Sequence, residues 1–503
     1  MADKYDVIIV GGGSAGCVAA TRLSQDPKRK VLLLEAGPDP WPLPELVADA
    51  AKQTRLLLES DFLRMYPSER HIDGSIYYAL SGKIMGGGSS VNVMSVLRPM
   101  KADLDNWVKL GNPDWSYEKC LPVMKRIESD QDFPDSPIHG NSGPLYVKRH
   151  FMLDMPSSPP VEAFIASAQA MGLPKCPDLN VPEPYGVCAS PYNIKDGKRQ
   201  STVVAYLNSA RERPNLTIIA EAPVHSLVLS GTRAEGVRYE KDGQIHTALG
   251  GQILLTAGVY HSPQILMLSG VGPEAELKKH GIPLVHELKG IGENYHDHPV
   301  VFMTFEGTKE SKEDWVVPRF RLITKHNPIY HCANFHINMR PPTEVTGLQR
   351  MMPVSAHLLE QRNRGCIFLK SADPNEFVGV DSAMLEHPED LKAMVEAMHF
   401  IVDLVHKGPA REFYGPLIQP GPGDDWGKFA RSTYDSYHHG VGTCKMGPAS
   451  DSMAVVDEKL RVHGMQNLWV GDASIMPVVS HANTNLTSIM IGERLSDFIR
   501  EVA

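Results

Sequence analysis

The chain has 503 residues, of which 42% are hydrophobic and 22% charged, a length for more than one domain and a composition that excludes a disordered or fibrous polymer. Acidic side chains outnumber basic ones by 59 to 50, a net charge of −9, which argues against a nucleic-acid-binding surface or a basic membrane patch. No apolar run approaches the ~18 residues of a membrane span, the first residues lack a signal's apolar core, and seven scattered Cys without a CxxC pair fit a reduced, cytoplasmic protein.

Residues 6–10 form an apolar run without helical period, the pattern of a strand buried on both faces. Gly11-Gly12-Gly13-Ser14-Ala15-Gly16 follows, then helix-forming residues 17–23, then a second buried strand at 31–34 ending at Glu35. Strand, GxGxxG, helix, strand and acid together make a dinucleotide fingerprint. Gly11 permits the tight turn, Gly13 lets phosphates approach, and Gly16 lets helix and strand pack closely. The helix N-terminus offers N–H groups to a pyrophosphate, and Glu35 can accept ribose hydroxyls. Ala36-Gly37-Pro38 supplies no Arg for a 2′-phosphate, and the fingerprint alone leaves NAD and FAD both open.

A second glycine cluster, Gly86-Gly87-Gly88-Ser89-Ser90, lies between Ile84-Met85 and Val91-Asn92-Val93 and is expected to be an embedded loop wrapping a flat or anionic ligand. Further on, 201–213 is expected as a helix stopped by Pro214, with strands at 217–220, 224–229 (opening on Val224), 234–239 and 252–258. A helix should begin at Ser262 with Ser as its cap and Pro263 in its first turn. The stretch 310–360 has no period; Trp315, Phe320, Tyr330 and Phe335 there suggest an aromatic substrate wall, although the same residues would also build an ordinary core. Residues 388–405 read as a helix.

Near the C-terminus, Tyr437-His438-His439-Gly440-Val441-Gly442-Thr443-Cys444 precedes a hairpin region at 454–462 and a strand over 467–474 that carries Asp472 and Ala473. The last helix should bury Ile491, Leu495, Phe498 and Val502, and its start is rich in capping residues, Asn483, Thr484, Asn485 and Thr487. Such an electropositive end would stabilise negative charge developing beside it.

The sequence resembles the glucose–methanol–choline oxidoreductases, FAD-dependent alcohol oxidases and dehydrogenases, over essentially its whole length. The resemblance rests on Gly11-x-Gly13-x-x-Gly16 with Glu35; Gly86-Gly87-Gly88-Ser89-Ser90-x-Asn92; Gly258-x-x-x-Ser262-Pro263-Gln264; Asn294-x-x-Asp297-His298-Pro299; His439-x-Val441-Gly442-Thr443-Cys444; and Gly471-Asp472-Ala473-Ser474 with Asn483. It implies an α/β protein, α+β overall: a Rossmann-like FAD-binding domain from 1–155, 199–305 and 428–503, with an inserted substrate domain, antiparallel sheet plus helices, from 156–198 and 306–427.

The resemblance also implies that FAD contacts Gly11, Gly13, Ser14, Ala15, Gly16, Glu35, Ala36, Gly86, Gly87, Ser89, Ser90, Asn92, Val93, Val224, Asp472, Ala473, Asn483 and Thr484. His439 would take the hydroxyl proton of an alcohol and Asn483 hydrogen-bond its oxygen while the carbon's hydrogen leaves as hydride to flavin N5, with reoxidation by O2 or a quinone- or dye-type acceptor. A positioned base of this kind is worth ~10²–10⁴-fold. Some relatives link FAD to a His where this chain has Val91, so noncovalent FAD is expected; Val259 is a second departure.

The same residues allow other readings. His438 could be the base instead, and Cys444 with His439 could form a nucleophilic pair. His296 with His298, or His331-Cys332 with His336, could ligate a metal, though none is expected. Asn215 and Asn485 match glycosylation acceptors by chance. A small primary alcohol, aromatic or otherwise, is the expected substrate, with a sugar or glycoside as runner-up. A hydroxynitrile lyase of the same fold and a non-catalytic flavin-binding role are the remaining alternatives.

Overall fold

The computed structural model describes residues 4–69, 76–308, 320–330, 332–340 and 351–502. Two sheets organise the chain. In the first, Leu216–Ile219, Val31–Leu34, Lys4–Val10 and Gln244–Leu255 lie side by side in parallel. Gln244–Leu255 is long enough to serve two further neighbours on its other edge. Its first half pairs antiparallel with Arg233–Lys241, and its last three residues pair in parallel with Leu468–Val470. Every residue of Val31–Leu34 is buried, as a strand covered on both faces requires.

The helices Ser14–Leu23 and Thr484–Val502 pack together against this sheet. Gly16 is where helix meets turn: a Cβ there would lie 1.9 Å from the Gly11 carbonyl oxygen, so no side chain fits. Strands with free carboxyl ends at Val10, Leu34, Leu255 and Val470 open a crevice along one edge, the place where open α/β sheets bind ligands.

The second sheet runs Tyr414–Gln419, Pro299–Gly307, Met351–Leu358, Phe335–Met339, Phe320–Thr324, Gly186–Ala189 and Lys175–Cys176, antiparallel except at its last pair. Asp435–Ser436 also pairs with Pro299–Gly307. The whole of Pro299–Gly307 belongs here, so a boundary at 305 falls inside a strand. Strand alternation sorts this sheet's residues. Val301, Met303, Phe305, Leu322, Phe335, Ile337, Val354 and Ala356 bury against the helices Pro159–Ala170 and Pro388–Lys407. Their neighbours, among them Phe302, Arg321, His336, Asn338, Ser355 and His357, occupy the other face.

Several local expectations are corrected. Residues 201–213 form only two short turns, Thr202–Ala205 and Leu207–Ser209. The helix expected from Ser262 starts at Gly258, and Pro263 sits inside it. Pro263 lacks the N–H that would reach the Val259 carbonyl; the Thr443 hydroxyl donates to that carbonyl instead, at 2.7 Å. The embedded glycine–serine loop ends in a single helical turn, Gly88–Val91. The 454–462 region contains isolated bridges such as Val456 with Val462, not a hairpin, and the strand at 467–474 shortens to Leu468–Val470. Val502 is exposed, whereas Ile491, Leu495 and Phe498 are buried. Phe320, Tyr330 and Phe335 belong to the core of the second sheet; they do not form a substrate wall. Trp315 and His331 lie outside the described residues. No helix among the described residues is long and apolar enough to cross a membrane.

Candidate active site

One cavity of about 1310 Å³ joins the carboxyl edge of the first sheet to the polar face of the second. It exceeds the ~300–1,000 Å³ that suits one drug-sized ligand. Gly11, Gly13, Ser14, Ala15, Glu35, Ala36, Gly87, Asn92, Val93, Val224, Asp472, Ala473, Asn483 and Thr484 all line it. Gly16, Gly86, Ser89 and Ser90 do not. Ser90 Oγ donates to the Met85 carbonyl and Ser89 Oγ meets Thr202 Oγ1 at 2.8 Å, so these hydroxyls hold the loop and do not face the cavity.

The lining suits FAD. A Cβ on Gly13 would meet only the Thr256 carbonyl, at 3.8 Å, so the protein's own packing does not demand glycine there; a close phosphate would. Gly13 caps the helix Ser14–Leu23 without a side-chain bond and the first turn carries no acid, which leaves its N–H end to an anion. Ser14 Oγ donates to Asn485 Oδ1 at 2.7 Å and ties that end to the start of the last helix. Glu35 accepts from the Gly12 and Gly37 amides, each at 2.7 Å, while burial holds its carboxyl above the usual range. Asp472 receives the Gly258 amide and the Ser262 hydroxyl, clamping two strand ends together. Arg199, which the sequence did not single out, is wholly buried; it donates to the Asn92 carbonyl and to Gln53, fixing the glycine–serine loop from behind.

At the far end, His439 Nε2 lies 3.0 Å from Asn483 Nδ2, and His439 Nδ1 lies 2.9 Å from His298 Nδ1. An amide Nδ2 can only donate, so Nε2 presents its lone pair and Nδ1 carries the proton that His298 accepts. Asp297 fixes the backbone of this pair: its Oδ1 accepts from the His298 amide at 2.6 Å and the His439 amide at 2.9 Å, and its Oδ2 from Ser436 Oγ at 2.6 Å. Burial, and then the neighbours His298, His438, His336 and Arg321, hold His439 well below the ordinary histidine range. Burial likewise takes His298 down to about 3. The Tyr437 ring sits between His439, 4.3 Å away, and His357, 4.1 Å away.

The alternatives separate in this geometry. His438 is exposed with φ 61°, and it is His439 whose ring reaches Asn483. Burial pushes the Cys444 thiol far above its ordinary value, leaving it no thiolate for a nucleophilic pair. His296 is engaged by the Asn294 carbonyl and the Val479 amide, and Cys332 lies against His481. Asn215 is tied to three carbonyls at the edge of the first sheet. His298, Asp297 and Tyr437 surround the base; sequence reasoning weighed His298 only as a metal ligand and gave Asp297 and Tyr437 no role of their own, and the Asp-His-Pro motif was the available signal. Arg321, Asn338 and Arg340 also line the cavity and were missed, although the alternation along 335–340 could have exposed two of them.

Comparison with known proteins agrees with this arrangement. Residues 5–300 and 361–492 match the two models of GMC oxidoreductase. The chain is 34% identical to an oxygen-dependent choline dehydrogenase of Chromohalobacter salexigens, covering 99% of this chain and 95% of that one. It is 32% identical to choline oxidase of Arthrobacter globiformis, over 99% and 94%. Among solved structures, pyridoxine 4-oxidase from Mesorbium loti superposes with a TM-score of 0.92 at 27% identity, over 99% of both chains.

Proposed function

The chain belongs to the GMC oxidoreductase family, enzymes of FAD-dependent alcohol oxidation, and from that premise we propose that His439 and Asn483 carry the reaction. The observation that supports this most is the convergence of His439 Nε2 and Asn483 Nδ2 at 3.0 Å on the cavity wall. An alcohol oxygen placed against both would donate its proton to the imidazole and accept from the amide. Losing that proton gives the oxygen alkoxide character and weakens the carbinol C–H bond.

His439 is neutral in this setting, as a base must be before it acts, and His298 fixes the tautomer that keeps Nε2 unprotonated. Asn483 donates without competing for the proton. Bound FAD supplies the oxidant for the carbinol hydrogen and its electron pair. Gly11, Gly13, Ser14 and Ala15 would hold its phosphates, Glu35 its ribose, and Asn92, Val93, Val224, Asp472, Ala473 and Thr484 its remaining surface. Val91 offers no nucleophile, in keeping with noncovalent attachment; acid precipitation should leave the flavin in the supernatant.

The substrate we propose is a small primary alcohol with a planar body, since Tyr260, Phe302 and Tyr437 line the cavity. The test is anaerobic mixing with a panel of primary alcohols. Bleaching of the oxidised flavin band by at least one, and its loss in His439→Ala with FAD retained, is expected. A His439→Ala protein that is reduced as fast as the parent would sink the assignment. Parallel assays of hydrogen peroxide and of dye reduction then identify the electron acceptor.

A further inference from the structure

The polar face of the second sheet is built mostly from donors with too few acceptors. Arg321 is wholly buried, and only its Nη2 is engaged, donating to Ser95 Oγ at 2.7 Å. Its Nε and Nη1 have no hydrogen-bond partner, and among the described residues no carboxylate pairs with it. Arg321 and Ser95 both line the cavity. A buried guanidinium with two idle nitrogens, three N–H donors between them, is costly unless something completes it.

The neighbours on this face do not complete it. Asn338, on the adjacent strand, gives Nδ2 to His357 Nε2 at 3.0 Å and leaves Oδ1 unpartnered. Both ring nitrogens of buried His336 are likewise unpartnered. Arg340, just past that strand, lines the cavity too; its Nε reaches Ser355 Oγ at 3.2 Å and its guanidinium lies over the Phe302 ring at 5.5 Å. Among the described residues, the cavity's carboxylates are Glu35 and Asp472, engaged by backbone amides, and Asp61, Glu376 and Asp435. Asp435 is exposed on the stretch that carries His438.

We propose that Arg321, assisted by Arg340, receives an oxyanion carried by the alcohol itself, so that the substrate is an anionic hydroxy compound and not a neutral or cationic alcohol. The proposal rests on the reading of His439 as base. Tyr437, in contact with both His357 of this face and His439, puts the anion receptor and the base within one small molecule's span. A planar fork of donors matches a carboxylate or a phosphate, which share this chemistry. Arg321 is also one of the cations that keep His439 deprotonated, so an anion seated on it would ease proton transfer to the imidazole.

The experiment compares isosteric alcohols on the FAD-loaded enzyme by anaerobic flavin reduction: 4-(hydroxymethyl)benzoate, 4-(hydroxymethyl)phenyl phosphate and neutral 4-methylbenzyl alcohol, with choline as the cation. At least one anion should exceed the neutral isostere in kcat/KM by about 100-fold, and the faster of the two identifies carboxylate or phosphate. In Arg321→Met that preference should collapse about 30-fold or more, and Arg321→Lys should restore only part of it. Calorimetric titration with 4-methylbenzoate, which cannot be oxidised, or with inorganic phosphate should give binding to the parent that Arg321→Met loses while retaining FAD.

Equal rates for anionic and neutral isosteres in the parent would overturn the proposal. So would Arg321→Met slowing every alcohol by one common factor, which would make the guanidinium structural. His439→Ala separates the two readings: it should still bind 4-methylbenzoate or phosphate while oxidising alcohols about 10³-fold more slowly. If it oxidises alcohols as fast as the parent but the anion preference stands, the base assignment fails and the anion receptor survives.

Discussion

Two buried histidines, His439 and His139, lie in opposite electrostatic surroundings. The His439 ring touches an amide and another imidazole and has no carboxylate on either nitrogen. His139 has one on each, Glu128 at 2.6 Å and Asp178 at 2.8 Å, with Asp130 3.3 Å away. Arg98 and Arg149 complete that second cluster, and Asp132 also reaches Arg149, so four carboxylates face two guanidinia and one imidazolium. Burial depresses both rings. At His439 nothing opposes it, whereas at His139 the bonds to Asp178 and Glu128 prevail and carry the ring up to about 9. His481 repeats the second pattern two residues from Asn483: its Nδ1 lies 2.5 Å from Asp103, which outweighs burial and raises it. The chain thus uses buried carboxylates to hold His139 and His481 as cations at neutral pH, and withholds them from His439 and its neighbours His298, His336 and His357, which stay neutral.

The contrast breaks most visibly by substitution. His439→Ala should lower the rate of alcohol-driven flavin reduction about 10³-fold, with FAD content and urea midpoint close to the parent's. His139→Leu should do the reverse. Removing one cation from a buried network leaves Glu128 and Asp178 undercompensated and should cost about 3–5 kcal/mol in urea unfolding, while folded, FAD-loaded protein turns over near the parent rate. A stable His139→Leu protein would mean that the two arginines suffice.

The same contrast has a pH signature. His139 rises from an ordinary 6.5 to about 9 on folding, so its stabilisation is complete below 6.5 and lost as pH climbs through 9. That is about 3 kcal/mol between pH 6.5 and 10, read as a falling urea midpoint that His139→Leu should flatten. His439 is depressed, so its neutral form survives into acid. The acid limb of kcat/KM with a neutral alcohol should fall below the ordinary 6.5. A limb at or above that value would contradict the neutral pocket.

How much of this was legible follows from how local each signal is. The strand–GxGxxG–helix–strand–Glu35 unit could be read because its spacing is set by backbone geometry within 35 residues, and His439 and Asn483 because they sit inside short motifs. The start of the helix at Gly258 could not, since what tolerates Pro263 is Thr443, 180 residues away in sequence. Arg321 failed for a similar reason: its importance lies in lacking a partner, which only the folded sheet reveals. The sequence leaves Phe320 and Phe335 open between core and binding wall, because aromatic residues serve both alike, and strand alternation turns them toward Pro388–Lys407.

Smaller effects sharpen the comparison. His298→Leu removes the acceptor of the His439 Nδ1 proton, and losing one buried hydrogen-bond partner costs ~1–3 kcal/mol. About a tenfold fall in kcat/KM is expected, with the acid limb moving up toward 6.5, since a depressing neighbour is gone. A purely structural role would lower activity and leave that limb in place.

The smallest effect belongs to His438, and it tests the pocket at its margin. His438 is adjacent to the base in sequence, yet it is exposed and its φ of 61° lies in the left-handed region. That conformation turns the chain so that consecutive residues need not share an environment, and it is one that Asn adopts more readily than His. His438→Asn should therefore keep kcat/KM within about threefold of the parent and raise the urea midpoint slightly, by well under 1 kcal/mol. A fall comparable with that of His439→Ala would move the base by one residue. It would also blur the contrast with His139, because the reacting imidazole would then have a carboxylate, Asp435, opposing the burial that lowers it.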